Sequence, residues 1–397
     1  MTRILFSSVL GAVLTSGLAA QVPAAAHPAS QPELQAIQKR AEALVEAHHL
    51  GQATELLGAT LRRQPGWRDG WWQLGSLEYD ANDYFNAQDA FARLSVLDPK
   101  SGAAWVMLGL CNFERHDFGL ALSHLERGRA LGFPPSLGLA DPAAFHEAVA
   151  LVLVGEYEQA QVLLDGFARQ DHVSPGIVLT AGLAALRRPL PATSAEAFDS
   201  EFVQLLNAVG RAQVLAAQRK FPEARAIYRQ LATEHPTVRH LHYAFGVLLA
   251  RMSETTAAEA EFREEIRLHP TSILPCLQLA IMDWTRDDLA PGKQWAEQAL
   301  QLAPDNFAPH YILGNILLKQ GDAVGGLQQL EASRNLAPQS SEVHFALARA
   351  YLQLHRPAEA ARERKLFEQL KPIEDSIQHR GTLPATMFEA PAGSPPQ

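Results

Sequence analysis

Small apolar residues return along the chain at a fixed step of 34 positions: Ala53, Ala87 and Ala121 near the start, then Ala224, Ala258, Gly292, Gly326 and Ala360. A second set, Gly75, Gly109, Ala212, Gly246, Ala280, Gly314 and Ala348, runs in phase with the first, twelve residues ahead of it each time. Two small positions per unit predict two helices in close contact, because a residue without a bulky side chain lets the backbones approach. Prolines supply a third register: Pro65 and Pro99, then Pro236, Pro270, Pro304, Pro338 and Pro372, each just after a helix-like run. Proline lacks the amide hydrogen that would continue a helix and so ends it. The unit is helix, turn, helix, stop, and a period of this length is the signature of a stacked helical repeat.

The bulky positions keep the same order. Trp71-x2-Leu74-Gly75, Ala87-x3-Phe91 and Pro99 repeat as Trp105-x2-Leu108-Gly109, Ala121-x3-Leu125 and Pro134. Turn residues fall between the paired helices at Asn82-Asp83, His116-Asp117, Gly155-Glu156 and Gly321-Asp322, as turn chemistry requires. These landmarks resemble the tetratricopeptide repeat. The resemblance implies an all-α, right-handed superhelical solenoid of about nine helix-turn-helix repeats, at 34–67, 68–101, 102–135 and 141–174, then 205–238, 239–272, 273–306, 307–340 and 341–374. Residues 136–140 insert five positions into the register. Residues 175–204 read as a half-repeat or linker, or as a degenerate repeat that keeps the stack continuous; Leu179–Arg188 has the form of a first helix, and Thr193-x-x-Glu196 of a capping box. The expected organisation is a leader at 1–26, a flexible linker at 27–33, four repeats over 34–174, the 175–204 junction, five repeats over 205–374, and a Pro-rich disordered tail at 375–397.

Arg3 followed by the apolar run Ile4–Ala20 and a series of small residues has the form of a secretory signal peptide, with cleavage expected after Ala19, Ala20 or Ala26. The alternative, an uncleaved anchor, is disfavoured because the run is shorter than the ~20 apolar residues a span needs and carries four hydroxyls. The expected location is periplasmic or extracellular, with no membrane span in the mature chain. A net charge of −9 on 397 residues disfavours nucleic acid as a partner. Cys111 and Cys276 lie several repeats apart, too far for a disulfide, and read as buried free thiols.

Fifteen histidines invite a metal site, with His235, His240, His242 and His269 the densest group. Their places along the repeat give no reason to converge on one ion, and His235 and His269 fit helix-end roles better. His146-Glu147 lacks the second histidine of a zinc-hydrolase motif, and no phosphate-binding glycine loop or Gly-x-Ser-x-Gly occurs. No metal, no cofactor and no catalytic activity are expected.

The resemblance also implies where a partner sits. In this family the first helix of each repeat lines the concave side, which here assigns Trp72, Phe145, Tyr243, Tyr311 and Phe345 to one groove position and Tyr79, Phe113 and Trp284 to another. Asn315 and Arg349 are the polar members of the last two repeats. The Lys, Arg and Asn set with which some relatives grip a C-terminal carboxylate is missing. The implied function is a non-catalytic scaffold or adaptor that binds a protein or peptide in an aromatic groove. Two alternatives remain open: a polysaccharide-export or carbohydrate-binding accessory protein, since rings also stack on sugars, and a structural unit that self-associates through its ends.

Overall fold

A computed structural model describes residues 30–190 and 198–378, with side chains to 371. The expected leader at 1–26, the Thr193–Glu196 capping box and the tail from 379 onward lie outside the described residues. Among the described residues there are nineteen α-helices and no strand. The chain divides into two compact units, 1–99 and 100–397.

In the first unit, α1 (Gln31–Glu46), α2 (Leu50–Arg63), α3 (Arg68–Asp80) and α4 (Tyr84–Leu97) form two helical hairpins. The start of α1 is fixed by the Ser30 amide, which donates to Glu33 Oε2 at 2.7 Å, so helix already occupies part of the expected 27–33 linker. Leu34, Leu57, Leu61, Trp67 and Leu74 form the core. A Cβ on Gly75 would lie 2.9 Å from the Phe91 ring, which is why the small position of α3 faces the aromatic position of α4.

The second unit begins with the pairs α5 (Gly102–Glu114) and α6 (Phe118–Leu131), then α7 (Ala140–Val154) and α8 (Tyr157–Arg169). The five-residue insertion falls on a short 3-10 turn, Pro135–Leu137, between α6 and α7. After α9 (Pro175–Ala185) and α10 (Ser200–Ala217) come α11 (Phe221–Glu234), α12 (Leu241–Arg251), α13 (Thr255–Leu268), α14 (Ile273–Thr285) and α15 (Leu289–Leu302). The unit closes with α16 (Phe307–Lys319), α17 (Ala323–Leu336), α18 (Ser341–Gln353) and α19 (Pro357–Gln378). The last helix runs four residues past the expected repeat end at 374; ion pairs such as Arg364–Glu368 at 3.3 Å support its exposed face. One continuous core runs from Ala148 to Ala360. Among the described residues no helix is long and apolar enough to cross a membrane.

Each hairpin turn uses a left-handed residue in the repeat register: His48, Asn82 and His116, then Arg219, Ser253, Asp287 and His355, with Gly155 and Gly321 at two equivalent places. The next amide then bonds back five residues, as in Asp83 N to Glu78 O at 2.8 Å and Asp322 N to Leu317 O at 2.9 Å, closing the first helix. Asp83, Asp117 and Asp322 cap the second helix with their side chains.

The helix-ending prolines have a further use. Their carbonyls accept from a ring nitrogen six residues on: Trp71 Nε1 to Pro65 at 2.8 Å, His242 Nε2 to Pro236 at 3.2 Å, and His310 and His344 Nε2 to Pro304 and Pro338 at 3.0 Å. Three histidines therefore do at the landmark tryptophan position what Trp71 does, tying the end of one repeat to the start of the next.

The junction is a helix crossing. A Cβ on Gly182 would strike the Leu206 carbonyl, and one on Gly210 the Val178 carbonyl. As α9 ascends its partner residues descend, so the two helices are antiparallel. The second helix that would follow α9 is missing among the described residues; α10, the first helix of its own repeat, packs on α9 instead and also meets α8 and α11.

Candidate binding surfaces

In the first unit, Trp72 and Tyr79 are half-buried on α3. Trp72 meets Phe91 edge-on at 5.7 Å, and Tyr79 meets Tyr84 at 5.3 Å. Trp72 also lines a cleft of about 340 Å³ between α1 and α3, with Ala41, Val45, Leu57 and Leu77 supplying apolar surface and Glu42, Glu46, Gln73 and Ser76 the polar part. Glu42 and Glu46 stand four apart on α1 and so share a face. That spacing was the available sequence signal for them; it has no partner in the sequence to give it meaning until α3 is laid alongside.

A larger cleft of about 610 Å³ lies among α2, α3 and α4, with Trp71, Glu78, Asp89 and Arg93 in its wall. Arg93 sits over the Trp71 ring at 5.4 Å and pairs with Asp89 at 2.9 Å. Glu78 Oε2 is buried without a hydrogen-bond partner. Burial, together with the charges of Asp83 and Asp89, pushes the Glu78 carboxyl up to about 7. Nothing in the repeat register marks this residue, because its state depends on how three helices enclose it.

In the second unit, Phe113 and Phe145 are half-buried and share His146, at 4.8 and 5.9 Å between ring centres. Tyr243 is buried on α12, 5.9 Å from Phe262. Burial and the nearby Glu158 charge push its hydroxyl up to about 12. The C-terminal repeats bring four sequence-assigned residues together. Trp284 of α14 meets Tyr311 of α16 at 6.5 Å, Asn315 donates to the Tyr311 carbonyl at 2.9 Å, and Arg349 of α18 acts on the Tyr311 hydroxyl through its charge. Tyr311 and Asn315 are buried, Trp284 is half-buried, and Arg349 is exposed. Phe345, one turn before Arg349, is 49% exposed, and Leu352 on the same face is 59% exposed.

The histidine group disperses into separate structural roles. His235 and His269 end α11 and α13. His242 lies between Glu261 Oε2 at 2.6 Å and the Pro236 carbonyl. His240 is pushed down to about 3 by burial and by the charges of Arg187, Arg239, His269 and Arg188. Among the described residues no group of three or more His, Cys, Asp or Glu is placed to hold a metal ion. Cys111 and Cys276 are both buried.

The family model described as "Tetratricopeptide repeat" matches residues 73–132 and 209–273. No curated protein matches the chain significantly. Similar solved structures include MamA from Desulfovibrio magneticus RS-1, at 16% identity and a TM-score of 0.39 over 42% of this chain and 95% of that one. Another is YrrB, described as a TPR protein with an unusual peptide-binding site, at 14% identity and a TM-score of 0.36 over 44% of this chain and 89% of that one.

Proposed function

From the premise that the chain is a tetratricopeptide-repeat protein, we propose that it is an exported, non-catalytic adaptor that holds a protein or peptide partner along its first helices. Proteins of this family serve in general as protein-interaction scaffolds. The observation that carries the reading is the row of rings on α14, α16 and α18, three first helices of which α16 touches both of the others. Trp284 and Phe345 remain accessible there, the buried Tyr311 fixes the ring of Trp284 edge-on, and Arg349 adds a charged donor beside Phe345. A few accessible aromatic and Arg side chains on a rigid base are the residue types that dominate binding energy at protein interfaces. Export is supported by the Arg3 and Ile4–Ala20 pattern.

The test is chemical crosslinking of the purified chain in envelope extract, beside a variant carrying Trp284→Ala, Phe345→Ala and Arg349→Glu. These three positions avoid the buried Tyr243, Tyr311 and Asn315, whose loss would perturb the core. A protein crosslinked to the parent and lost from an equally helical variant supports the adaptor; equal yields from both remove this surface from the account. Glucan or uronate oligomers that quench tryptophan fluorescence in the parent alone would favour the polysaccharide alternative. N-terminal sequencing of the secreted product, starting after Ala19, Ala20 or Ala26, tests export.

A further inference from the structure

We propose that the cleft between α1 and α3 receives an apolar side chain of a basic peptide segment, with Glu42 and Glu46 pairing with Lys or Arg beside it. This deepens the adaptor reading and rests on it, but on residues of the first unit alone.

The volume of about 340 Å³ lies at the lower end for a binding pocket, the size for one large side chain and part of its backbone rather than for a folded domain. Half-buried Trp72, Val45 and Leu77 give that side chain an apolar seat. The charge of the opening is one-sided: two carboxylates line it and no Lys or Arg does. Glu42 is also held in place, because Gln38 and Gln73 each donate an amide nitrogen to its Oε1 at 3.1 Å. A carboxylate only accepts, so these bonds fix the Gln73 amide with nitrogen toward Glu42. They leave Gln73 Oε1 without a donor. The cleft is thus rich in acceptors and poor in donors, the complement of ammonium, guanidinium and peptide N–H groups.

The experiment is isothermal titration of the full-length protein at low and moderate salt with three 12-residue synthetic peptides: one alternating Lys with Leu and Phe, one with Glu replacing Lys, and one with Ser replacing Leu and Phe. The first is expected to bind and the other two at least about tenfold more weakly, since charge and apolar contact are both required. Glu42→Lys with Glu46→Lys, two exposed changes, is expected to weaken the first peptide by about tenfold or more while leaving the helical signal and melting temperature near the parent's. Equal binding by parent and double variant, equal binding of the Ser peptide, or no binding of the first peptide overturns the proposal. Crosslinking through Trp284 and Phe345 is read separately, so its survival after such a result leaves the adaptor reading standing and removes the cleft alone.

Discussion

Gly182 of α9 and Gly210 of α10 face each other where the two helices cross: a Cβ on Gly210 would lie 3.1 Å from the Gly182 amide nitrogen and would collide with the Val178 carbonyl. The contact is backbone to backbone, closer than any residue with a side chain permits. It lets α10 pack on α9 where a second helix packs in the other repeats, while it starts a repeat of its own. The first helices α9 and α10 on the two sides of the junction therefore run in opposite directions. In keeping with this, Arg187 at the end of α9 acts on His240 at the start of α12.

Gly210→Ala is expected to destabilise the protein by about 2 kcal/mol, since neither neighbour is a side chain that can move aside. Gly119→Ala, in α6 with open space around its Cα, is expected to be neutral or slightly stabilising. Urea melts of the two variants against the parent check the contrast.

The state of His242 makes stability depend on pH. Burial pulls its pKa down, but the hydrogen bond and charge of Glu261, with Glu265 and Glu264 behind it, outweigh burial and leave it raised above 6.5. A group whose folded value is raised stabilises fully below its unfolded value, and that contribution is lost as pH rises through the folded value. His242→Gln is therefore expected to cost more stability at pH 5.5 than at pH 8.5. Melts of parent and variant at both pH values measure the difference.

Glu78 runs the same way from the opposite chemistry. Its carboxyl is raised from 4.5 to about 7, so the folded state favours the protonated form, and the benefit disappears as pH rises through 7. Glu78→Gln keeps the shape and removes the charge. It is expected to add about 1 kcal/mol at pH 8, after allowance for the partial exposure of the group, and almost nothing at pH 4. Denaturant midpoints at the two pH values decide it.

Much of this architecture is legible in residue spacing. The small positions announce helix contacts because only Gly or Ala fits there, and Gly75 against Phe91 and Gly246 against Phe262 are such contacts. The equivalence of His242, His310 and His344 to Trp71 was written in their place four residues before the small residues Gly246, Gly314, Ala348 and Gly75. Its chemistry was not, because a ring N–H reaching a proline carbonyl depends on how one repeat leans on the next. The left-handed turn residues escaped for another reason: His48, Asn82, Ser253 and Asp287 share a conformation and no composition. Depth was the least legible property. Tyr243 and Phe345 hold the same register position, yet one is 8% and the other 49% exposed, because burial is decided by the neighbouring helices and not by the residue.

The most direct test of the adaptor account places a photoreactive amino acid at Phe345 in the full-length protein, with a control at Val324 on the second helix α17, which is 70% exposed. The account predicts one discrete protein adduct on irradiation from Phe345 and none from Val324. Adducts of equal yield from both positions, or none from Phe345, would contradict it.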